Sequence, residues 1–298
     1  AAAMSAMTKV YLAKGRDAEE LEEALDSGMD GLKLSKKLGF KKGEAVALLT
    51  LCKIYTGMDK VAQAIKYGQE ALVAFGELGE TGSMAATYVA IMGAYLAKGD
   101  AAKASKQAYK AYGIYESSGN KSKMGSCMHT IATVEVKGGD YKKASEALSK
   151  SKSLFAEAGD ARGQAMCLET IMGLYLEAEM YVEALKIGQD RVSIFHDAGD
   201  MHSEAGAMLK LGQVCLDNED TGKAAQMAQA ALGLFAGVQD MGGLQAAKSL
   251  LDDASRMARA EEISAAIDKA ADYMHVPSTL IVDPGRNKRV NDMYVSMF

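Results

Sequence analysis

Laid out in rows of 40, the chain stacks Leu51, Ile91, Ile131, Ile171, Leu211 and Leu251 in one branched-aliphatic column. A second column holds Phe75, Tyr115, Phe155, Phe195, Phe235 and His275. Around both, apolar residues recur three and four apart, the one-sided stripe of a helix that must be covered by a neighbour. Four residues past the aliphatic column come Tyr55, Tyr95, Glu135, Tyr175 and Cys215, and nine further come Ala64, Ala104, Ala144, Ala184 and Ala224. An invariably small column predicts a close crossing of helices, where a larger side chain would hold the axes apart. Ala71, Ala111, Ser151, Ala231 and Ala271 form a further small column, with Arg191 as its exception.

Two helices per row are predicted, an A helix running to turns such as Lys98-Gly99-Asp100 and a B helix over 101–118 or 141–158. Glycine supplies the left-handed residue that ends a helix, and the following Asp or Asn caps the next one. A fixed period in this range is the mark of a solenoid. The units read as about 1–40, 41–80, 81–120, 121–160, 161–200, 201–240 and 241–276. Tyr11-Leu12-Ala13-Lys14-Gly15 copies Tyr95-Leu96-Ala97-Lys98-Gly99 at a separation of 84, which lengthens the first B helix by about one turn. The row from 241 keeps phase through Leu251, Ala271 and His275 and reads as a terminal pair, although its turn near Arg259 has no glycine. Phase is lost at Val276-Pro277, and residues 277–298 form a turn-rich tail.

Composition narrows the function. A net charge of -5 and a pI near 5.5 offer no extended positive field for a phosphate backbone. No apolar run approaches the roughly 20 residues that span a bilayer. Cys52, Cys127, Cys167 and Cys215 show no paired spacing and fall in predicted helices, so they read as free buried thiols, which favours a reducing compartment. Position 1 is Ala rather than Met, which leaves removal of a targeting peptide, as on import into a plastid, as one origin of this N-terminus.

Ile91, Tyr95, Gly99-Asp100, Ala104 and Ala111-Tyr112 together resemble the tetratricopeptide repeat, and the 40-residue period is similar to its long-helix variant in cell-polarity adaptors and kinesin light chains. The resemblance covers residues 1–276 and implies an all-α, right-handed superhelix of about seven antiparallel pairs whose A helices line a concave groove. It further implies groove columns at Thr50, Ala90, Thr130, Thr170 and Lys210, flanked by Lys53, Gly93, Thr133, Gly173 and Gln213. Small side chains there let a ligand backbone approach closely. They are equally what tight superhelical packing would require. The paired Lys and Asn of chaperone-tail binders are missing.

His129 and Glu169 share the next column in successive rows, with Lys210 close by, as either a polar partner-binding cluster or a solvated groove wall. Neither they nor His196, His202 and His275 show metal-ligand spacing or a nucleophile with its base, so no catalytic residue, metal or cofactor is assigned. Gly138-Gly139 and Gly242-Gly243 lack a preceding strand and read as turns between helices. Met92, Met166 and Met172 sit at core-period positions. Glu135 breaks the Tyr column, which places it in the groove or distorts its row. In the tail, Leu280, Ile281 and Val282, then Arg286, Lys288 and Arg289, then Met293, Tyr294, Val295 and Phe298 suit docking on another subunit or on the last repeat.

The reading is a non-enzymatic scaffold or adaptor, a peripheral or assembly subunit that binds a peptide or helix in its groove and docks through its tail. Its partner is protein, not nucleic acid, and nothing requires a homo-oligomer. A structural spacer and a regulator holding a small molecule in the groove are the alternatives.

Overall fold

The computed structural model describes residues 18–273, with side chains from 21 to 269. Twelve helices fill them: α1 (Ala18–Lys37), α2 (Lys41–Gly57), α3 (Val61–Glu77), α4 (Thr81–Ala97), α5 (Ala101–Ser117), α6 (Lys121–Lys137), α7 (Tyr141–Glu157), α8 (Ala161–Glu177), α9 (Tyr181–Asp197), α10 (Met201–Asp217), α11 (Thr221–Gly237) and α12 (Met241–Tyr273). Even-numbered helices from α2 are A helices, and odd-numbered ones are B helices. Each from α2 to α11 has 17 residues, so helix starts recur every 20. The longer first B helix has 20.

Each turn is the same device. At α4, Asp100 N–H donates to Tyr95 O at 2.9 Å and Gly99 N–H to Leu96 O at 3.0 Å, the paired bonds that close a helix on a left-handed residue. Gly99 has φ 75°, but Asp59, Glu179, Glu219 and Gln239 hold the corresponding place at 56 to 61° without being glycine. The fixed bond pattern imposes that conformation and the surrounding array sustains its strain. Asp100, Asn120, Asp140, Asp160, Asp200, Asp220 and Asp240 then accept the backbone N–H three residues on, each satisfying a donor the next helix start leaves free.

The chain divides into two compact units between Cys167 and Leu168, within α8. In the first, consecutive helices from α1 to α7 pack pairwise, and α2 also touches α4. In the second, α9 to α12 pack in the same way, and α10 touches α12. Ala64, Ala104, Ala144, Ala184 and Ala224 are all fully buried, as are Ala71, Ala111, Ser151 and Ala231. Ser151 keeps its place because its hydroxyl donates to Gly125 O at 2.8 Å while Cys167 Sγ lies 3.2 Å away. Phe75, Phe155, Phe195 and Phe235 are at most 5% exposed.

Three glycines that the sequence reading did not single out explain how Leu51, Ile91 and Leu211 of the aliphatic column fit. A Cβ on Gly28 would stand 2.9 Å from Leu51 Cδ2, one on Gly68 2.5 Å from Ile91 Cγ1, and one on Gly188 2.7 Å from Leu211 Cδ1. The branched side chain of an A helix therefore rests directly on the backbone of the preceding B helix. Gly163 and Gly243 likewise lie against the rings of Phe155 and Phe235, where any Cβ would collide.

Several expectations are corrected. Residues 241–273 form one unbroken helix of 33 residues, not a pair with a turn near Arg259, because Arg-Met-Ala-Arg-Ala-Glu-Glu at 256–262 contains good helix formers and no breaker. Gly242 and Gly243 lie in the first turn of that helix rather than between helices. Met166 is 37% exposed, since Ala165, Cys167 and Leu168 take the buried places of α8. Glu135 distorts nothing: α6 is regular, its C-terminal bond from Asp140 N–H to Glu135 O is 3.0 Å, and the half-buried carboxylate acts on the Lys143 ammonium. All four cysteines are buried and free.

Candidate functional site

In the first unit, α2, α4 and α6 present their A-helix faces to one open cleft of about 280 Å³. Lys53, Ala90 and Thr130, three of the sequence candidates, line it together with Ala86, Val89, Met92, Tyr115, Lys123, Ser126 and Cys127. The helical spacing explains the set. Ala86 and Ala90, like Ser126 and Thr130, are four apart and so lie one above the other on the same face.

The floor is less polar than its sequence suggests. Thr130 Oγ1 donates to Ser126 O at 3.0 Å and Ser126 Oγ to Ser122 O at 3.1 Å, so these hydroxyls are bound within their own helix, as is that of Thr133, outside the cleft, which donates to His129 O at 3.0 Å. Burial pushes the Cys127 thiol up to about 11 and raises the Tyr115 phenol, which keeps both neutral at ordinary pH. The charges bordering the cleft are the ammonium groups of Lys53 and Lys123. Gly93, on the same helix as Ala90, has nothing within 4 Å of where a Cβ would be. Tight packing does not account for that glycine.

Other candidates are placed differently. Thr50 is buried at 6% exposure among the core residues of α2. His129 is half-buried and hydrogen-bonded to the backbone of Met166, and its burial lowers its pKa. In the second unit, Glu169 pairs with Arg191 at 3.1 Å. Each of the two thus has a partner within its own unit. The Arg191 guanidinium also lies 5.8 Å from the Phe195 ring, which accounts for the exception in the small column.

Gly173, like Gly93, faces open space; Thr170 is half-buried and Lys210 exposed. Gln213 Nε2 donates to Asp217 Oδ1 at 3.0 Å. The tail candidates Leu280, Ile281, Val282, Arg286, Lys288, Arg289, Met293, Tyr294, Val295 and Phe298, and also His275, lie outside the described residues.

Sequence reasoning missed Ala86, Lys123 and Ser126 because it followed the groove columns only one residue layer deep. Carrying them four residues toward the helix N-terminus finds Ala86 and Ser126. Nothing in the pattern marked Arg191 as the partner of Glu169. Among the described residues, no group of three His, Cys, Asp or Glu is arranged to hold a metal ion, and no helix is long and apolar enough to cross a membrane.

No protein-family model and no curated protein sequence matches the chain. Solved structures do. BtubC (BKLC) from P. vanneervenii is 17% identical with a TM-score of 0.56, over 81% of this chain and 92% of that one. A Podosopora anserina putative kinesin light chain with nearly identical TPR-like repeats is 15% identical with a TM-score of 0.50, over 65% and 96%. A Rap protein complexed with competence and sporulation factor is 12% identical with a TM-score of 0.53, over 81% and 72%. At such identities the likeness is one of fold, and it agrees with the helix pairs seen in each unit: the chain has the all-helical fold of TPR-like repeat proteins.

Proposed function

We propose that this chain is a non-enzymatic interaction scaffold that holds an extended peptide or a helix of a partner protein in the cleft formed by α2, α4 and α6. The observation that carries the proposal is the open, small-residue floor. Ala90 and Thr130 line it, the Thr130 hydroxyl is bound within its own helix, and Gly93 lies over unfilled space. A floor of methyl groups with ammonium groups at its margin suits apolar side chains on a segment that carries an acidic group nearby. The Rap protein complexed with competence and sporulation factor is a precedent on this fold. The corresponding face of the second unit, with Thr170, Gly173, Lys210 and Gln213, is a further contact surface in this reading, and residues 277–298 dock the chain in a larger assembly.

The test replaces Ala90 and Thr130 with Trp, filling the cleft from two helices. Affinity capture from the native source should lose its partner while far-ultraviolet circular dichroism stays the same. Undiminished capture by a folded double variant would refute the cleft assignment.

A further inference from the structure

Ala74 of α3 stands where the other B helices carry Leu34, Ile114, Leu154, Ile194 and Leu234. One residue earlier the exchange runs the other way: Val73 is 64% exposed where those helices have Lys33, Gly113, Ser153, Ser193 and Gly233. Helix α3 therefore lacks a large aliphatic side chain at one place and presents one to solvent beside it. In α7 the same place is filled by Leu154, which is buried.

The gap is an open groove of about 490 Å³ between α2 and α3. Its apolar lining is Leu48, Val73, Ala74 and Leu78. Of its charged residues, Glu44 is shared by Lys36 and Lys41, each at 3.9 Å. Glu70 and Glu77 are exposed and form no ion pair with any described residue. They stand two turns apart on α3, about 10 Å, with Val73 and Ala74 between them. The groove is an aliphatic socket bracketed by two uncompensated carboxylates.

We infer that this groove is a second docking surface, for a helix of a partner protein that offers Leu or Ile with Lys or Arg one turn to either side. Shape selects the aliphatic residue, because the repeat fills the same place with its own Leu or Ile in every other B helix. Charge selects the flanks. Basic residues two turns apart come opposite Glu70 and Glu77 when the aliphatic side chain enters over Ala74. The cleft of α2, α4 and α6 has the opposite preference, since Lys53 and Lys123 border it. The two surfaces select different segments, and docking over Ala74 does not depend on that cleft. One side chain in a socket and two exposed ion pairs make a weak contact, in the micromolar range.

Fluorescence anisotropy of the full chain with labelled synthetic helices tests this, the probes being peptides with a central Leu or Ile and Lys or Arg one turn to either side. They should bind saturably, and versions with Ser at the centre or Glu at the flanks should not. Ala74→Leu, which fills the socket from within, should raise the melting temperature and weaken binding at least about tenfold. Glu70→Lys/Glu77→Lys should weaken it about tenfold and leave the melt unchanged, since both residues are exposed. A wild type that binds none of the basic helices, whether its own terminal segments fill the groove or nothing does, overturns the inference. So does binding that survives either variant, or an Ala74→Leu protein that is destabilised because the space is not free.

Discussion

Ile91 rests on the backbone of Gly68, so close that a Cβ there would stand 2.5 Å from Ile91 Cγ1 and 3.1 Å from Cys52 Sγ. Neither neighbour is the free end of a flexible chain. Gly68→Ala gains up to about 1 kcal/mol of helix propensity but overpacks a closed contact at about 1–3 kcal/mol. Net destabilisation is expected in chemical denaturation.

The opposite sign is expected at Gly93 and Gly173, which sit within helices and face open space. Alanine at either should stabilise by about 1 kcal/mol, because it removes backbone entropy without meeting anything. If Gly93→Ala destabilises, the space above it is not open.

Asp160 caps Gly163 N–H at 2.8 Å and accepts from Ser122 Oγ at 2.6 Å. Asp160→Ala should cost about 1–2 kcal/mol, as loss of a cap does. Ser122→Ala should cost less, and a thermal melt of the two variants measures the difference.

Acid should weaken the array in two steps. Hydrogen bonds from Lys103, Lys143 and Lys223 hold Asp100, Asp140 and Asp220 below the usual 3.8, and the Lys42 hydrogen bond lowers Glu80 from 4.5. Groups with depressed folded values stabilise above their unfolded pKa, and that contribution is lost as pH falls through the folded one. Stability should therefore decline below about pH 4.5. Burial depresses His129 from 6.5, so a smaller decline should begin just below that value and vanish in His129→Gln. Melting temperatures from pH 8 to 3, taken as about one-unit steps, would show both.

Most of the fold was legible because a repeat shows each packing constraint many times over. The Ala column at 64, 104, 144, 184 and 224 is fully buried, and the capping residues stand where the turn chemistry put them. The length of α12 was not legible, since phase persists through Leu251 and Ala271 whether or not the helix breaks between them. Nor was the role of Gly28, Gly68 and Gly188, because their column also holds Ala108, Leu148 and Ala228 and so forms no uniform row. Of the candidate residues, Lys53, Ala90 and Thr130 were legible as neighbours on one cleft, but the partners of the others were not. Glu169 is bound by Arg191 and His129 by a backbone group, pairings that depend on how far individual side chains reach.

The central claim is tested most directly by crosslinking mass spectrometry on the native protein with an amine-reactive reagent. The cleft assignment predicts partner crosslinks concentrated on Lys53 and Lys123, which border it, and their disappearance in Ala90→Trp/Thr130→Trp. Crosslinks confined to B-helix lysines such as Lys106, Lys110 and Lys150, unchanged in that variant, would contradict it.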